Sequence, residues 1–215
     1  MTHGEVAGRR VLEVGARNVN GSVRPIIEAL HPQSYLGIDI EMGDGVDEIC
    51  DVMALTDRFG EDAFDLVVST ELVEHVRDWR RAFNNMKRVL RADGVIVVTT
   101  RSPGFKIHGY PFDYWRYERE DMRRIFADFT ILALDDDRVA PGVFVKASKP
   151  ADWRPADLSN VCLHSVATRR RTDDLQRSRE IVFRAGYWAH VYYRRMLSES
   201  IRGRVKRAVG WLRFR

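Results

Sequence analysis

The sequence predicts an α/β fold: a doubly wound, mostly parallel seven-stranded sheet with a reversed last strand, followed by a basic, helical C-terminal extension. Between residues 9 and 148, short apolar runs typical of buried strands alternate with stretches of helical periodicity. Beyond residue 150 the alternation ends, and arginine-rich, helix-like sequence follows. We therefore expect an α/β domain in residues 1–150 and an extension in residues 151–215.

The first strand, loop and helix start lie in residues 9–25. An apolar run ends abruptly at Gly15, a polar loop leads to Gly21, and a helix-like stretch begins with Ser22 as its expected cap and Pro25 in its first turn. Open α/β sheets bind nucleotides at such a strand-to-helix junction. The spacing is not the G-x-G-x-x-G of dinucleotide-binding loops, so a nicotinamide enzyme is disfavoured, and a turn without a ligand stays an alternative.

The second strand ends at an acid. The alternating run SYLGIDI carries Asp39 near its end, about 20 residues beyond the glycine loop. A carboxylate there can accept hydrogen bonds from both hydroxyls of a ribose. Asp39 is therefore the strongest single binding candidate, and a surface acid at a strand end is the alternative.

The following segments continue the alternation. A short third strand ends near Asp51, a short helix covers residues 54–59, and residues 64–70 form a strand apolar enough to be buried on both faces. An amphipathic helix is predicted over residues 71–90, with a turn at 92–94 and a fifth strand after it.

A long aromatic loop separates these elements from the last strands. Residues 101–117 hold six aromatic side chains, and a loop of this length after a strand's carboxyl end is typical of a segment that covers a site. A helix over residues 118–127 and two strands, 129–134 and 142–147, follow. The two strands resemble an antiparallel pair that closes the sheet.

Composition limits the class of protein. With 215 residues and 45% hydrophobic content, one packed α/β domain plus an appendage is expected. The sequence lacks an apolar run long enough to span a membrane and a signal-peptide core, so we expect a cytoplasmic protein. Cys50 and Cys162 match no metal spacing, and neither do His108, Asp113 and the acidic turn 135–137, so no metal site is predicted.

Five segments together resemble the motifs of the class I S-adenosylmethionine-dependent methyltransferases. They are VLEVG, YLGIDI, CDVMAL, FDLVVSTELVEHV and RVLRADGVIVVTT, within residues 9–148. The resemblance implies that family's strand order and methyl transfer from S-adenosyl-L-methionine. Residues 100–117 resemble a subgroup found in glycan and natural-product pathways, which implies a hydroxyl acceptor on a sugar or a glycosylated small molecule.

The resemblance also implies the cofactor-binding residues. The loop would follow the methionine moiety, Asp39 would hold the ribose, Asp51 with its neighbours would meet the adenine, and Ser69 with Thr70 would flank the sulfonium. The full set is Glu13, Gly15, Ala16, Asn20, Gly21, Asp39, Ile40, Asp51, Val52, Met53, Ser69 and Thr70. Arg17 and Val19 stand at the later glycine positions of the usual loop.

Two histidines compete as the general base for a hydroxyl acceptor. His75 is expected in the first turns of the predicted helix 71–90, where a structural role is the alternative. We hypothesise that His108 is the base and that Asp113 orients it. Other side chains of the aromatic loop are candidates for stacking on a sugar or, for the arginine, for binding an anionic group; a packed lid is the alternative. These substrate candidates are Tyr110, Tyr114, Trp115 and Arg116.

The extension is strongly basic. Residues 151–215 hold 15 Lys and Arg against 6 Asp and Glu. One strand is expected in 161–168 and helical sequence from Asp173 on, and the amphipathic stretch 201–215 has the composition of a helix in a membrane interface. Docking on the chain's own domain or on a second subunit, as a homodimer, is the main alternative, and nucleic acid is a less favoured partner.

We expect a methyltransferase that acts on oxygen, with a sugar, a glycosylated small molecule or a lipid-linked glycan as acceptor. A nucleic-acid methyltransferase using the basic tail is one rival. The fourth strand is followed by Ser69-Thr70-Glu71-Leu72 and not by the D/N-P-P-aromatic tetrapeptide used for amino groups on bases, which favours oxygen. A non-catalytic binding protein on the same fold is the other rival.

Overall fold

The computed structural model describes residues 1–109 and 112–173, together with residues 175, 185, 186, 188, 189 and 192. The helices are α1 (His3–Val6), α2 (Arg24–Glu28), α3 (Leu55–Phe59), α4 (Trp79–Val89) and α5 (Arg119–Ile125). The strands are β1 (Arg10–Val14), β2 (Ser34–Asp39), β3 (Glu48–Ile49), β4 (Phe64–Thr70), β5 (Leu90–Arg101), β6 (Trp115–Arg116), β7 (Thr130–Asp136), β8 (Gly142–Ser148), β9 (Leu163–Ser165) and β10 (Arg171–Thr172). The expected helical tail lies largely outside the described residues.

The main sheet confirms the predicted topology. Among the described residues it has seven strands in the order β3-β2-β1-β4-β5-β8-β7. The first five strands pair in parallel, and β8 runs antiparallel to both of its neighbours, β5 and β7. The chain leaves β1 toward β2 and β3 and then returns to β4 on the other side. The carboxyl ends of β1 and β4 therefore flank the crevice in which open α/β sheets bind ligands.

Apolar side chains cover both faces of this sheet. Val11, Leu66 and Val68 pack with Val6 and Ile27 in one buried cluster. Because successive strand residues point to opposite faces, their neighbours Leu12 and Val67, also fully buried, face the other side. The sheet is thus an interior layer, and its strand ends hold fixed positions.

A second, small sheet joins the aromatic loop to the chain after residue 150. In the described residues, β9 lies between β6 and β10, and all pairs are antiparallel. The strand expected in 161–168 exists but is shorter. Residues 1–174 form one compact unit, which includes this segment, and residues 175–215 form another. The separation of two domains at residue 150 remains a prediction.

The predicted helix 71–90 is wrong in its first part. After β4, Glu71 takes a left-handed conformation with φ 55°, and residues Val73–His75 form one 3₁₀ turn. The α-helix begins only at Trp79, where the Asp78 side chain accepts a hydrogen bond of 3.1 Å from the backbone N–H of Arg81. His75 therefore lies in the 3₁₀ turn, ahead of the helix, because the left-handed residue and the Asp78 cap set a later helix start.

Two smaller predictions also change. The N-cap of α2 is Val23 rather than Ser22, although the Ser22 hydroxyl accepts a 3.1 Å hydrogen bond from the N–H of Arg24. The bend expected at 92–94 lies inside β5, with Asp93 at φ 59°. Within the described part of the chain, no helix is both long and apolar enough to cross a bilayer.

Candidate functional site

The glycine loop is anchored to the ends of the two central strands. Gly15 follows β1 with φ +83°, which glycine adopts without strain, and its N–H donates to the carbonyl of Ile38 at 2.9 Å. A Cβ on Gly15 would lie 3.1 Å from the Cβ of Leu72, which follows β4. Ala16 is buried, and its N–H also donates to Ile38 at 2.9 Å. The loop thus starts in close contact with the segment after β4.

The second half of the loop is held by side chains. The amide oxygen of Asn18 accepts from the N–H of Gly21 at 3.0 Å, and its amide nitrogen donates to Asp44 at 2.9 Å. Gly21 has φ +129°, and Asn20 beside it is exposed. Asn18 therefore closes this turn, and neither Arg17 nor Val19 has a positive φ, so neither position requires glycine here.

Asp39 lies where the sequence predicts, at the end of β2. Its two carboxylate oxygens accept backbone hydrogen bonds, one from Arg17 at 3.3 Å and one from Glu41 at 3.1 Å. The side chains of Arg17 and Glu41 form an ion pair with each other. The side chain of Ile40 is 66% exposed, so an apolar surface borders the carboxylate. Asp39 and Ile40 together offer a charged hydrogen-bond acceptor and an apolar contact at the carboxyl end of β2.

The segment after β3 brings a second acid close to Asp39. The N–H of Cys50 donates to the carbonyl of Asp39 at 2.9 Å. Next to it, Asp51 is exposed and caps the following 3₁₀ turn, since its Oδ1 accepts from the N–H of Met53 at 2.9 Å. Val52 is buried beneath this turn. The half-buried carboxylate of Asp39 and the exposed carboxylate of Asp51 therefore lie at the ends of neighbouring strands.

Two polar residues of this region are buried. Glu13 is 2% exposed and accepts a hydrogen bond from the hydroxyl of Tyr35, and burial raises its pKa above the ordinary value even though Tyr35 and Arg24 oppose the shift. Ser69, in β4, is fully buried, and its hydroxyl has no hydrogen-bond partner within the described structure. Thr70, the last residue of β4, is half-buried.

These residues fit the cofactor that the resemblance implies. S-adenosyl-L-methionine needs a hydroxyl-binding carboxylate, an apolar face for the adenine and close approach to backbone at the glycine turn, and Asp39, Ile40 and Gly15 offer these. The orphaned hydroxyl of Ser69 at the next strand end fits a polar ligand as well.

Glu74 and two histidines form the second part of the site. The Glu74 side chain is fully buried, and its Oε2 accepts a hydrogen bond of 2.7 Å from the hydroxyl of Thr100. Its other oxygen, Oε1, has no hydrogen-bond partner among the described residues and lies 3.7 Å from Nε2 of His108 and 4.0 Å from Nε2 of His75. The imidazole centroids of the two histidines are 4.7 Å apart.

The charges of this cluster depend on one another. Burial alone would raise the pKa of Glu74, but the neighbouring imidazoles and the Thr100 hydroxyl hold the pKa of this carboxyl below its usual range. Conversely, Glu74 is the main cause that raises the pKa of His108, against the opposing effect of burial. Burial and the charge of Glu74 raise the pKa of Glu71, which also forms an ion pair with Arg101.

Asp113 contacts His108, as the sequence predicts. Its Oδ2 accepts a 2.8 Å hydrogen bond from the backbone N–H of His108 and lies 3.4 Å from the ring nitrogen Nδ1. Arg116 donates to both carboxylate oxygens of Asp113 from inside the protein. The arrangement fixes the loop backbone at His108 and directs Nδ1 toward a carboxylate, so that Nε2 points to Glu74.

The aromatic loop is mainly a packed structure. Tyr114, Trp115 and Arg116 are all buried, Trp115 donates from Nε1 to the carbonyl of Arg77 at 3.0 Å, and Arg116 pairs with Asp113. These three side chains are accounted for by packing, contrary to the expected stacking or anion-binding surface. Tyr110 lies outside the described residues. The exposed apolar side chains of the loop are instead Phe112 and Ile107, at 53% and 40% exposure.

The sequence reasoning missed Glu74. The signal that could have identified it is an acid directly before His75, in the segment that follows a buried strand. Its role depends on loop residues such as His108, which is 34 positions away in the sequence.

Comparisons with known proteins agree with this architecture. Residues 4–134 match a family model described as a methyltransferase domain. No curated protein matches the chain.

Three solved structures show the same fold. A putative methyltransferase of Haloferax volcanii in complex with the Trm112 activator has 15% identity and a TM-score of 0.55, over 67% of this chain and 84% of that one. The 1,6-didemethyltoxoflavin-N1-methyltransferase of Burkholderia thailandensis, with bound S-adenosylhomocysteine, has 15% identity and a TM-score of 0.54, over 67% and 72%. A methyltransferase of Aquifex aeolicus has 14% identity and a TM-score of 0.52, over 68% and 85%.

The family match covers more than half of the chain, from within α1 to within β7, and includes the strand ends that flank the crevice. The protein therefore belongs to the methyltransferase domain family, as a class I S-adenosylmethionine-dependent methyltransferase.

Proposed function

We propose that this protein methylates a hydroxyl oxygen of a sugar or of a glycosylated small molecule. The observation that carries the proposal is the position of His108, whose ring lies between Asp113 and Glu74 at the same strand edge as the glycine loop. A sugar hydroxyl is a weak nucleophile at neutral pH and gains from a base within hydrogen-bond reach.

The cofactor crevice supports the first half of the reaction. Asp39 would accept the ribose hydroxyls, Ile40 and Asp51 would border the adenine, and the turn at Gly15 would follow the methionine moiety. Bound there, S-adenosyl-L-methionine supplies an electrophilic methyl group to the acceptor. The chain's contribution is to hold donor and acceptor aligned, which by itself supplies much of the acceleration of a displacement reaction.

His108 would take the proton of the acceptor hydroxyl. Asp113 holds the backbone at His108 and lies beside Nδ1, so the acceptor would approach Nε2, next to the carboxylate of Glu74. Glu74, 3.7 Å away, stabilises the protonated imidazole that results. His75 would have a structural role, because its Nδ1 lies 2.8 Å from the carbonyl of Phe112 and so fixes the loop.

A sugar acceptor is supported by the exposed surface beside the histidines. Phe112 is half exposed next to the residue that His75 contacts, and Ile107 precedes His108. Apolar side chains beside a general base suit a pyranose, which has an apolar face and polar edges. The resemblance of residues 100–117 to enzymes of glycan and natural-product pathways agrees with this choice.

The test is transfer of labelled methyl from S-adenosyl-L-methionine into fractionated extract of the source organism. Lipid-linked glycans, soluble small molecules and nucleic acids are separated, and the label is then located, with Asp39→Ala protein as the control for cofactor-dependent transfer. Label in either of the first two fractions, base-labile esters having been removed, supports the proposal. Label in nucleic acid alone overturns it.

We also propose that the basic extension brings the protein to an anionic membrane surface. Its charge and the amphipathic pattern of residues 201–215 support this. The full chain should bind vesicles containing anionic lipid at low salt and not neutral vesicles. Equal binding to both would contradict the proposal. Retention on nucleic acid that falls steeply with salt, without vesicle binding, would favour the rival partner.

A further inference from the structure

One carboxylate oxygen and two imidazole nitrogens converge beside β5. In the described part of the chain, Glu74, His75 and His108 each offer one ligand atom, and these atoms all lie within 4.8 Å of one another. The carboxylate is fully buried, and its Oε1 has no hydrogen-bond partner there. A buried carboxylate oxygen without a partner is costly unless a cation or a proton donor occupies the space in front of it.

A carbonyl or carboxylate oxygen lies beside the other ring nitrogen of each histidine. Nδ1 of His75 lies 2.8 Å from the carbonyl of Phe112, which can only accept, so this nitrogen carries the proton and Nε2 keeps its lone pair. Nδ1 of His108 lies 3.4 Å from Oδ2 of Asp113, without a hydrogen bond in the described structure, and the backbone N–H of His108 donates to the same oxygen. Carbonyl and carboxylate partners on the far nitrogen are what orient metal-binding histidines in proteins.

The spacing of the three ligand atoms suits a single ion. Zinc binds nitrogen and oxygen ligands at about 2.0–2.2 Å, so two ligands on a tetrahedral ion lie about 3.4 Å apart. The Glu74 Oε1 atom is 3.7 and 4.0 Å from the two Nε2 atoms. All three ligand atoms lie within 4.8 Å of one another, so side-chain movements of about an ångström or less per residue would bring them to bonding distance of one ion.

We propose that Glu74, His75 and His108 bind one divalent transition-metal ion, with zinc as the best-suited occupant. Two imidazoles and one carboxylate are a common ligand set for zinc, whereas magnesium prefers oxygen ligands and an octahedral shell. Three protein ligands leave a coordination position open. An acceptor hydroxyl in that position would become more acidic and would release its proton to water, so the ion would replace the proposed imidazole base in activating the acceptor.

The inference rests on the cluster and is independent of the acceptor. It differs from the expectation from the sequence, which predicted no metal site. The ligands come from two segments that only the fold brings together, so their sequence spacing matches no known metal motif. The competing explanation for the cluster is a protonated His108 paired with Glu74.

The experiment measures zinc binding to the full chain after removal of metals with a chelator. Isothermal titration with ZnCl₂ gives the affinity and stoichiometry, and the visible absorption of added Co²⁺ reports the ligand geometry. The proteins compared are the unmodified chain, Glu74→Gln, His75→Gln and His108→Ala, with His3→Ala as the matched control because His3 is exposed and outside the cluster. Thermal unfolding and binding of S-adenosyl-L-methionine verify that each variant is folded.

We expect one zinc ion per chain and at least a tenfold loss of affinity in each of the three cluster variants, with His3→Ala unchanged. A Co²⁺ spectrum of tetrahedral type should appear in the unmodified chain and disappear in His108→Ala. No zinc binding to the folded, unmodified chain would overturn the inference, as would equal affinity in His108→Ala. Because the readout is metal binding, failure of the proposed methyl transfer would leave this result unaffected.

Discussion

The cofactor crevice and the histidine cluster lie at one sheet edge but are built in different ways. The crevice is formed mainly by backbone at strand ends, where Gly15, Asp39 and Asp51 are positioned by the parallel sheet itself. The cluster is formed by side chains from a 3₁₀ turn and a long loop, with Glu74 and His108 in contact across them. Donor binding should therefore tolerate changes in the loop, whereas acceptor chemistry should depend on it.

The sharpest test of this comparison is His108→Ala. We expect kcat for methyl transfer to fall by about 10² to 10³, the range of a lost general base, while the affinity for S-adenosyl-L-methionine stays the same. Steady-state kinetics and titration calorimetry measure the two quantities. His3→Ala, a change at an exposed histidine of α1, is the control. Full turnover by the His108 variant would show that the base lies elsewhere.

Asp39→Ala should have the complementary effect. Losing the carboxylate that accepts from the ribose hydroxyls removes charge-assisted interactions worth about 1.5–3 kcal/mol in total, so cofactor affinity should fall by about 10- to 100-fold. Zinc affinity at the histidine cluster should not change. Calorimetry checks both, with Asp57→Ala, an acid of α3 away from the crevice, as the control. Unchanged cofactor affinity would contradict the assigned role of Asp39.

Trp115→Phe tests whether the aromatic loop is packed or contacts the acceptor. The change removes the hydrogen bond from Nε1 to Arg77 and part of a fully buried ring, so the free energy of unfolding should fall by about 1–3 kcal/mol. Denaturant unfolding measures it. The KM for an acceptor should be unaltered. A stable variant with a raised KM would restore the stacking role first predicted for this residue.

The smallest effect is expected at Glu13, inside the crevice wall. Burial raises the pKa of this carboxyl in the folded chain. The ionised carboxylate therefore lowers the free energy of unfolding at pH values above that pKa. This loss of stability disappears below about pH 4.5, where the carboxyl is protonated in both the folded and the unfolded chain. Glu13→Gln keeps an acceptor for Tyr35 without the charge. It should raise the free energy of unfolding by about 1 kcal/mol at pH 7 and by nothing at pH 4.

Unfolding curves of both proteins at the two pH values measure this difference. A stabilisation that persists unchanged at pH 4 would mean that the charge is not its cause.

The sequence predicts the cofactor crevice better than it predicts the histidine cluster. Strand ends could be located from apolar runs, so Asp39, Asp51 and the Gly15 turn were placed correctly, as was the antiparallel β8. The helix start at Trp79 could not be located in this way. The apolar periodicity begins before Trp79, and only the structure shows the left-handed backbone at Glu71 that delays the helix. Composition could not distinguish a buried Trp115 from an exposed one. Nor could spacing reveal Glu74, whose partners come from a distant loop.

The pairing of β6 with β9 has a consequence for how the protein is organised. The loop that carries His108 begins at the end of β5, where the N–H of Tyr117 closes it on the carbonyl of Arg101 at 2.9 Å, and its far end is held as a strand by Leu163–Ser165. The family match ends at residue 134, before β8 and β9. The positioning of His108 thus depends on residues that lie outside the part of the chain that matches the family. Substitutions in those residues can change the position of His108 while the cofactor crevice stays the same.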